Sequence, residues 1–194
     1  NNRRRGWWTI AMQGKDQLRQ RVAFALEQIF VISDVDASIR TRAYGHSTYY
    51  DMLADHADRG YRNLIEEISK SPMMGKYLSH LQNRKAVFDD IDNDGIQDPG
   101  EETLVSPDEN YAREIMQLFS IGLLERHPDG TLKLGSNGLP VQTYTNQDIQ
   151  ELSRVFTGWS FARRNLGSAD DWAVDPNPNT SFTYGGGNEY FHIG

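Results

Sequence analysis

Seven acids and no base lie between Asp89 and Glu102: Asp89, Asp90, Asp92, Asp94, Asp98, Glu101 and Glu102. In Asp90-Ile-Asp92-Asn-Asp94-Gly95-Ile96-Gln-Asp98-Pro-Gly100-Glu101, oxygen donors fall at positions 1, 3, 5, 9 and 12 of a twelve-residue loop whose sixth residue is glycine. That is the donor pattern of an EF-hand calcium loop. Calcium is a hard cation that gathers six to eight oxygens. The spacing predicts ligands from Asp90, Asp92, Asp94, the Ile96 carbonyl, Asp98 directly or through water, and both oxygens of Glu101. The whole chain carries 20 Lys+Arg against 27 Asp+Glu, a net of −7, so outside the loop 20 acids face 20 bases and the acidity is local. A merely solvated loop would gain nothing from this density, because like charges repel. No second loop of this type occurs, and Thr103-Leu-Val-Ser106-Pro107 separates Glu101 from the next helix signal. A lone loop of this kind, suited to millimolar extracellular calcium, is expected to act as a staple and not a switch.

A second set of chemistry-bearing residues follows Pro107. Asn110, Glu114 and Gln117 fall at i, i+4 and i+7 and share one stripe of a helix, while Tyr111, Ile115 and Leu118 share another. Asn110, Arg113 and Glu114 could line a cleft, with Glu114 as general base or ligand and Arg113 holding an anion. The alternative is a capped helix whose polar face is solvated or pairs with Arg154, Arg113 being placed four residues after Glu109 for a helical ion pair. His46, His56, His80, His127 and His192 show no metal spacing, and each is expected to be a surface or satisfied core residue. No nucleophile elbow and no phosphate loop is present, Gly185-Gly-Gly187 having no strand-to-helix context. Trp7-Trp8 and Tyr49-Tyr50 could stack on sugar rings, but pairs of this kind more often anchor packing.

These residues need a scaffold, and 194 residues with 38% hydrophobic and 11% aromatic content suffice for one domain with a sizeable core. The chain opens with Asn, which leads us to expect that a leader or preceding domain has been removed. Arg3-Arg4-Arg5 is followed by too short an apolar stretch for an export signal. No apolar run reaches the length of a membrane span. The absence of cysteine excludes disulfides and thiolate chemistry. No basic stripe marks a nucleic-acid partner.

The dominant period is helical, and the fold class expected is all-α. Leu18, Val22, Ala25, Leu26, Ile29 and Phe30 draw one stripe between Asp16 and Ile32. Ser47 could cap a second helix to about Arg59 with Tyr50, Leu53, Ala54 and Ala57 inward; Tyr61 to Lys70 reads as a third, and Ser71-Pro72 opens a short fourth through Leu78. Ser106-Pro107-Asp108-Glu109 combines an N-cap serine, a first-turn proline and a capping-box glutamate for a helix reaching about Ile121 and stopping at Gly122. Thr145-Asn-Gln-Asp148 opens the last helix, with Ile149, Leu152, Val155 and Phe156 inward and a stop at Gly158. Asp129-Gly130 and Asn137-Gly138 read as turns that could close one short β-hairpin. No internal repeat is visible. Residues 1–164 would form the helical domain, with the loop of residues 89–102 inserted, and 165–194 an irregular arm, a truncated continuation of the same domain.

Four stretches carry a resemblance. Gln17-Leu-Arg-Gln-Arg-Val-Ala-Phe-Ala-Leu26, Ser71-Pro-Met-Met-Gly-Lys-Tyr-Leu78, Pro107-Asp-Glu-Asn-Tyr-Ala-Arg-Glu-Ile-Met-Gln-Leu-Phe119 and Asp148 to Trp159 resemble, in order, the bacterial domain-of-unknown-function-1800 family, over roughly Trp7 to Ser160. The resemblance implies a mostly helical, exported or envelope-associated protein. Such proteins are often encoded beside another exported family of unknown function, number 1501, which resembles sulfatases and phosphatases. It supplies no activity and no catalytic residues. Members usually continue with a His-Asp motif and a lysine, so this chain resembles a piece of the whole, and the acidic loop sits where insertions are expected. Two classes remain open: a non-catalytic, calcium-stapled module, extracellular or periplasmic, that supports an exported protein partner; or part of a hydrolase or transferase with Glu114 and Arg113 in its site, completed by residues beyond this chain.

Overall fold

The computed structural model describes residues 2–92 and 97–159. Seven helices and one two-stranded ribbon occur among them: α1 Asn2–Gln13, α2 Gln17–Ile29, α3 Ala43–Asp55, α4 Tyr61–Lys70, α5 Pro72–Tyr77, β1 Val87–Phe88, β2 Thr103–Val105, α6 Asn110–Gln117 and α7 Asn146–Val155. The fold is mostly helical, and β1 and β2 pair antiparallel, so the all-α expectation needs a small β component. The expected arm of residues 165–194 lies outside the described residues.

α1 was not anticipated. Gly6 and the paired tryptophans weaken its local signal, and it is held from outside by Arg3 and Arg4, which converge on Asp34 at 2.7 and 2.6 Å. Its Trp7 packs on Phe24 of α2 and Tyr50 of α3, with ring centroids 5.6 and 6.3 Å away, which makes these aromatics packing anchors. Tyr49 is likewise buried, its hydroxyl donating to the Phe30 carbonyl at 2.8 Å. The stripe expected on α2 is wider than the surface it covers. Leu26 and Phe30 pack inward with Ala23, whereas Leu18 is 80% exposed and Ile29 44%. α3 begins at Ala43, and Ser47 bonds back to the Ala43 carbonyl instead of capping. Ala57 lies in the turn after it. α4 and α5 lie where expected, the latter with Pro72 in its first turn. Gly45 lets α3 meet α5, because a side chain there would overlap the Met73 sulfur.

The core gathers around Tyr111 of α6. Its ring stacks on His80 at 4.0 Å and meets Phe156 edge-on at 4.8 Å, and its hydroxyl lies 2.7 Å from the Ser69 hydroxyl. Phe119 sits 5.0 Å from Phe30 and carries the cluster towards α2. The Tyr61 hydroxyl donates to the Phe119 carbonyl at 2.5 Å and ties α4 to the end of α6.

α6 departs from its expected start. The clamp that takes Asp108, described below, lets the helix open only at Asn110, whose amide is met by the Asp108 carboxylate at 2.9 Å. Ser106 and Pro107 therefore cap nothing. The helix closes at Gln117, and the expected stop at Gly122 survives as a left-handed residue, φ +73°, whose amide returns to the Met116 carbonyl. α7 has the expected capping box, Thr145 and Asp148 bonding each other's backbone amides.

Between α6 and α7 the two expected turns are present, but they close more than one hairpin. Three short arms, 123–127, 131–135 and 139–143, pair in a ring, each with both others. Glu125 N–H donates to Val141 O, Lys133 to Glu125 and Val141 to Lys133, all at 2.9 to 3.0 Å. The outer bonds run His127 to Thr131, Gly135 to Leu139 and Thr143 to Leu123. Every pairing recurs after eight residues, as do the left-handed glycines Gly122, Gly130 and Gly138. An internal repeat is therefore present after all, in Gly122-Leu-Leu-Glu125, Gly130-Thr-Leu-Lys133 and Gly138-Leu-Pro-Val141. Its units are too short and too varied on their side chains to be seen without the backbone. Because the chain enters and leaves the ring at one corner, α6 and α7 emerge side by side and pack together.

His80 is 1% exposed, and burial pushes its pKa from 6.5 down to about 4, although its ring nitrogen Nε2 donates to the Ser69 carbonyl at 3.0 Å. The unfolded chain binds the proton more readily, so stability from this residue is fully present above pH 6.5 and is lost as pH falls towards 4. Acid titration of the unfolding free energy should show a loss of about 3 kcal/mol over that window from this residue, absent in His80→Gln. A wild-type slope identical to that of the variant would contradict it.

Candidate metal centre

The acidic loop hangs from the β1–β2 ribbon. Val87 pairs with Val105 and Phe88 with Thr103 across an irregularity, and the Asp89 amide extends the ladder to the Glu102 carbonyl at 2.9 Å. A helix–loop–helix unit is thus not what carries these residues. Asp98-Pro99-Gly100-Glu101 closes a turn through Glu101 N–H to Asp98 O at 3.1 Å; Pro99 sets the first central residue and Gly100, at φ +109°, accepts the left-handed second. The turn folds the Glu101 carboxylate back over the loop. Its oxygens accept from the Ile91 amide at 2.7 Å and the Asp98 amide at 2.9 Å.

Asp90, Asp92 and Glu101 consequently face one another, one carboxylate oxygen from each lying within 4.8 Å of the others. Three carboxylates this close repel one another, and a cation among them would offset that. The donor set is all oxygen, which suits a hard divalent cation over a transition metal. Of the other expected ligands, the Asp98 carboxylate is not among the three that converge, as suits a position that commonly binds through water. Asp94 and Ile96 lie outside the described residues.

The ribbon is anchored by a residue to which no sequence signal pointed. Asn83, 7% exposed, accepts from the Asp108 amide at 2.7 Å and donates to the Asp108 carbonyl at 3.1 Å, clamping the chain on the far side of the loop. Its own carbonyl takes the Gly158 amide at 2.9 Å, and the neighbouring Gln82 amide donates to Trp159 O at 2.7 Å. One asparagine thereby joins the entry to the loop, the entry to α6 and the end of α7. The turn leading to it is strained. Ser79 and Gln82 hold left-handed backbones, φ 65° and 64°, that cost non-glycine residues about 1 kcal/mol or more each.

The three catalytic candidates separate. Asn110 is exposed at the helix start. Arg113 pairs with Glu109 at 2.9 Å across a partly exposed surface, an interaction worth under about 1 kcal/mol, while Arg154 pairs with Glu151 and not with Glu114. Glu114 is half-buried, and its Oε2 atom is buried with no hydrogen-bond partner among the described residues, as is the Tyr144 hydroxyl. No ion pair to Glu114 occurs among the described residues. His46 and His80 are buried with ring nitrogens on the carbonyls of Ile39 and Ser69, whereas His127 is exposed; His192 lies outside the described residues. No helix among them is long and apolar enough to cross a membrane.

A family profile described as "Protein of unknown function (DUF1800)" matches residues 1–185. No curated protein and no solved structure matches the chain.

Glu101→Gln should weaken calcium binding most among single loop changes, because it removes both a charge and a two-oxygen contact. Calorimetry of Glu101→Gln beside Asp98→Asn measures this. A larger loss from Asp98→Asn would show that the loop is filled in another way.

Proposed function

Since the chain belongs to the DUF1800 family of proteins of unknown function, we propose from its own residues that it is a calcium-binding, exported or envelope-associated module in which calcium is structural and the work is non-catalytic support of an exported protein partner. The observation that carries this is the convergence of Asp90, Asp92 and Glu101 on one point beside a ribbon clamped to α6. Calcium there neutralises the carboxylates and holds the two halves of the ribbon together. Among the described residues none of the acids of this run belongs to the buried core around Tyr111. Export is supported by the fit of a single low-affinity loop to millimolar calcium outside the cell.

Glu114 supports a second reading. Among the described residues a buried carboxylate oxygen on α6 and a tyrosine hydroxyl just before α7 have no partner, as a hydrolase or transferase site would leave them for its substrate or for further chain. The isosteric Glu114→Gln separates the two. In a support module it leaves the melting temperature equal or higher and partner capture unchanged. In an enzyme it abolishes turnover without loss of fold.

Calcium that binds only the folded state stabilises by RT ln(1 + [L]/Kd), about 1.4 kcal/mol at tenfold excess, or a few degrees in melting temperature. The shift should vanish in Asp92→Asn/Glu101→Gln and be smaller with magnesium, which is smaller and demands octahedral geometry. Melting curves that do not move between calcium and chelator, in a sample shown to have lost its metal, would remove the staple.

A further inference from the structure

The helical hairpin of α1 and α2 carries a surface that the core does not use. Arg4, Trp8 and Met12 follow one another at i, i+4 and i+8 along α1, with Arg5 beside Trp8. Trp8 is 60% exposed and Met12 76%, and just past the Gly14-Lys15-Asp16 turn Leu18 of α2 is 80% exposed. Trp8 is not idle packing: Trp7 reaches Phe24 and Tyr50, while among the described rings Trp8 meets Trp7 alone, edge to face with centroids 4.8 Å apart.

The charges around these apolar groups are one-sided. Residues 2–24 hold six bases, Arg3, Arg4, Arg5, Lys15, Arg19 and Arg21, and one acid, Asp16, in a chain whose net charge is −7. Arg3 and Arg4 are spent on Asp34, and Arg19 on Asp58. Arg5, Lys15 and Arg21 are exposed and enter no ion pair among the described residues. Three unpaired cations beside an exposed tryptophan, methionine and leucine are the composition of a segment that lies in a lipid headgroup layer, the cations on anionic phosphates and the apolar groups just beneath. The charge complementarity to anionic headgroups, with apolar groups between the cations, is what singles out a lipid surface as the occupant.

We propose that the α1–α2 hairpin is a peripheral docking site for an anionic lipid bilayer, with Trp8, Met12 and Leu18 as the inserted groups and Arg5, Lys15 and Arg21 as the phosphate contacts. The Arg3/Arg4–Asp34 clip holds α1 on the body so that insertion of its outer side leaves the Trp7 packing in place. Each cation brought to an anionic surface raises affinity about fivefold, so three give about a hundredfold preference for anionic over neutral lipid.

The test uses the full 194-residue chain, with chelator present so that the acidic loop cannot bridge to lipid through calcium. Phosphatidylglycerol-containing and pure phosphatidylcholine vesicles are compared by co-sedimentation and tryptophan emission. The chain should sediment with the anionic vesicles, its emission should shift to the blue, and salt should reverse both. Met12→Asp and Arg5→Glu/Arg21→Glu, all at exposed positions, should each lower binding at least tenfold with unchanged circular dichroism. Equal binding to both vesicles, binding to neither, or binding that survives both variants overturns the proposal. So does a dimer in sedimentation velocity that the same variants dissociate, which would make a second copy the occupant, or retention by single-stranded DNA in preference to vesicles.

Discussion

Tyr111 is the side chain through which the helices of this protein come to share one core. Its ring is flanked by His80 from the turn after α5, Phe156 from the end of α7 and Phe119 from the end of α6, and its hydroxyl reaches Ser69 on α4. Burial pushes the hydroxyl up to about 12 and keeps it neutral, so it can share a hydrogen bond with Ser69 without carrying a charge into the core. Stacking of this kind adds about 1 kcal/mol beyond the area buried, and loss of a buried aromatic of this size costs about 3–5 kcal/mol. With Tyr111 fixed, the direction of α6 is fixed, and so is the side on which its first turn meets the chain returning from the acidic loop.

The acidic loop is therefore suspended from the core. Asn83 connects the two, holding Asp108 by both backbone groups and Gly158 by its own carbonyl. Force applied at the loop by its repelling carboxylates reaches α6 and α7 through that one residue and through the two-residue ladder of β1 and β2. The ladder alone is too short to resist it. A cation held where Asp90, Asp92 and Glu101 meet would act at the far end of that suspension.

What the sequence made legible was local. α4, α5 and the Thr145–Asp148 capping box are written in short-range signals, and nothing distant competes with them. Asp90, Asp92 and Glu101, whose carboxylates converge, are three of the six residues that the loop spacing singled out. Where distant contacts decide, the signals misled. The Ser106–Pro107 start is a strong local cap, but the Asp108 amide was already taken by Asn83, twenty-five residues away. The apolar stripe of α2 predicted burial for Leu18 and Ile29, yet the core takes the Ala23, Leu26 and Phe30 side and α1 meets the helix at Phe24. Asn83 itself, a single asparagine in an unremarkable segment, could not be told from a turn residue, and α1 is held by Asp34, which lies in another part of the sequence.

The ring between α6 and α7 has a further implication for how this protein coexists with others of its kind. An ordinary hairpin or meander ends in an outer strand whose unpaired amides and carbonyls can recruit a strand from a neighbouring molecule, and proteins guard such edges with charge, proline or a covering helix. Here each of the three arms spends the backbone groups of its odd-numbered residues on the other two, while Leu124, Arg126, Leu132, Leu134 and Gln142 enter no backbone bond among the described residues, so the ring keeps three short outer edges. Leu134 and Leu139 are more than half exposed on these arms and would mark an aggregation-prone segment in an open sheet. Broken at each corner by a turn, edges of so few residues offer a passing chain too short a template.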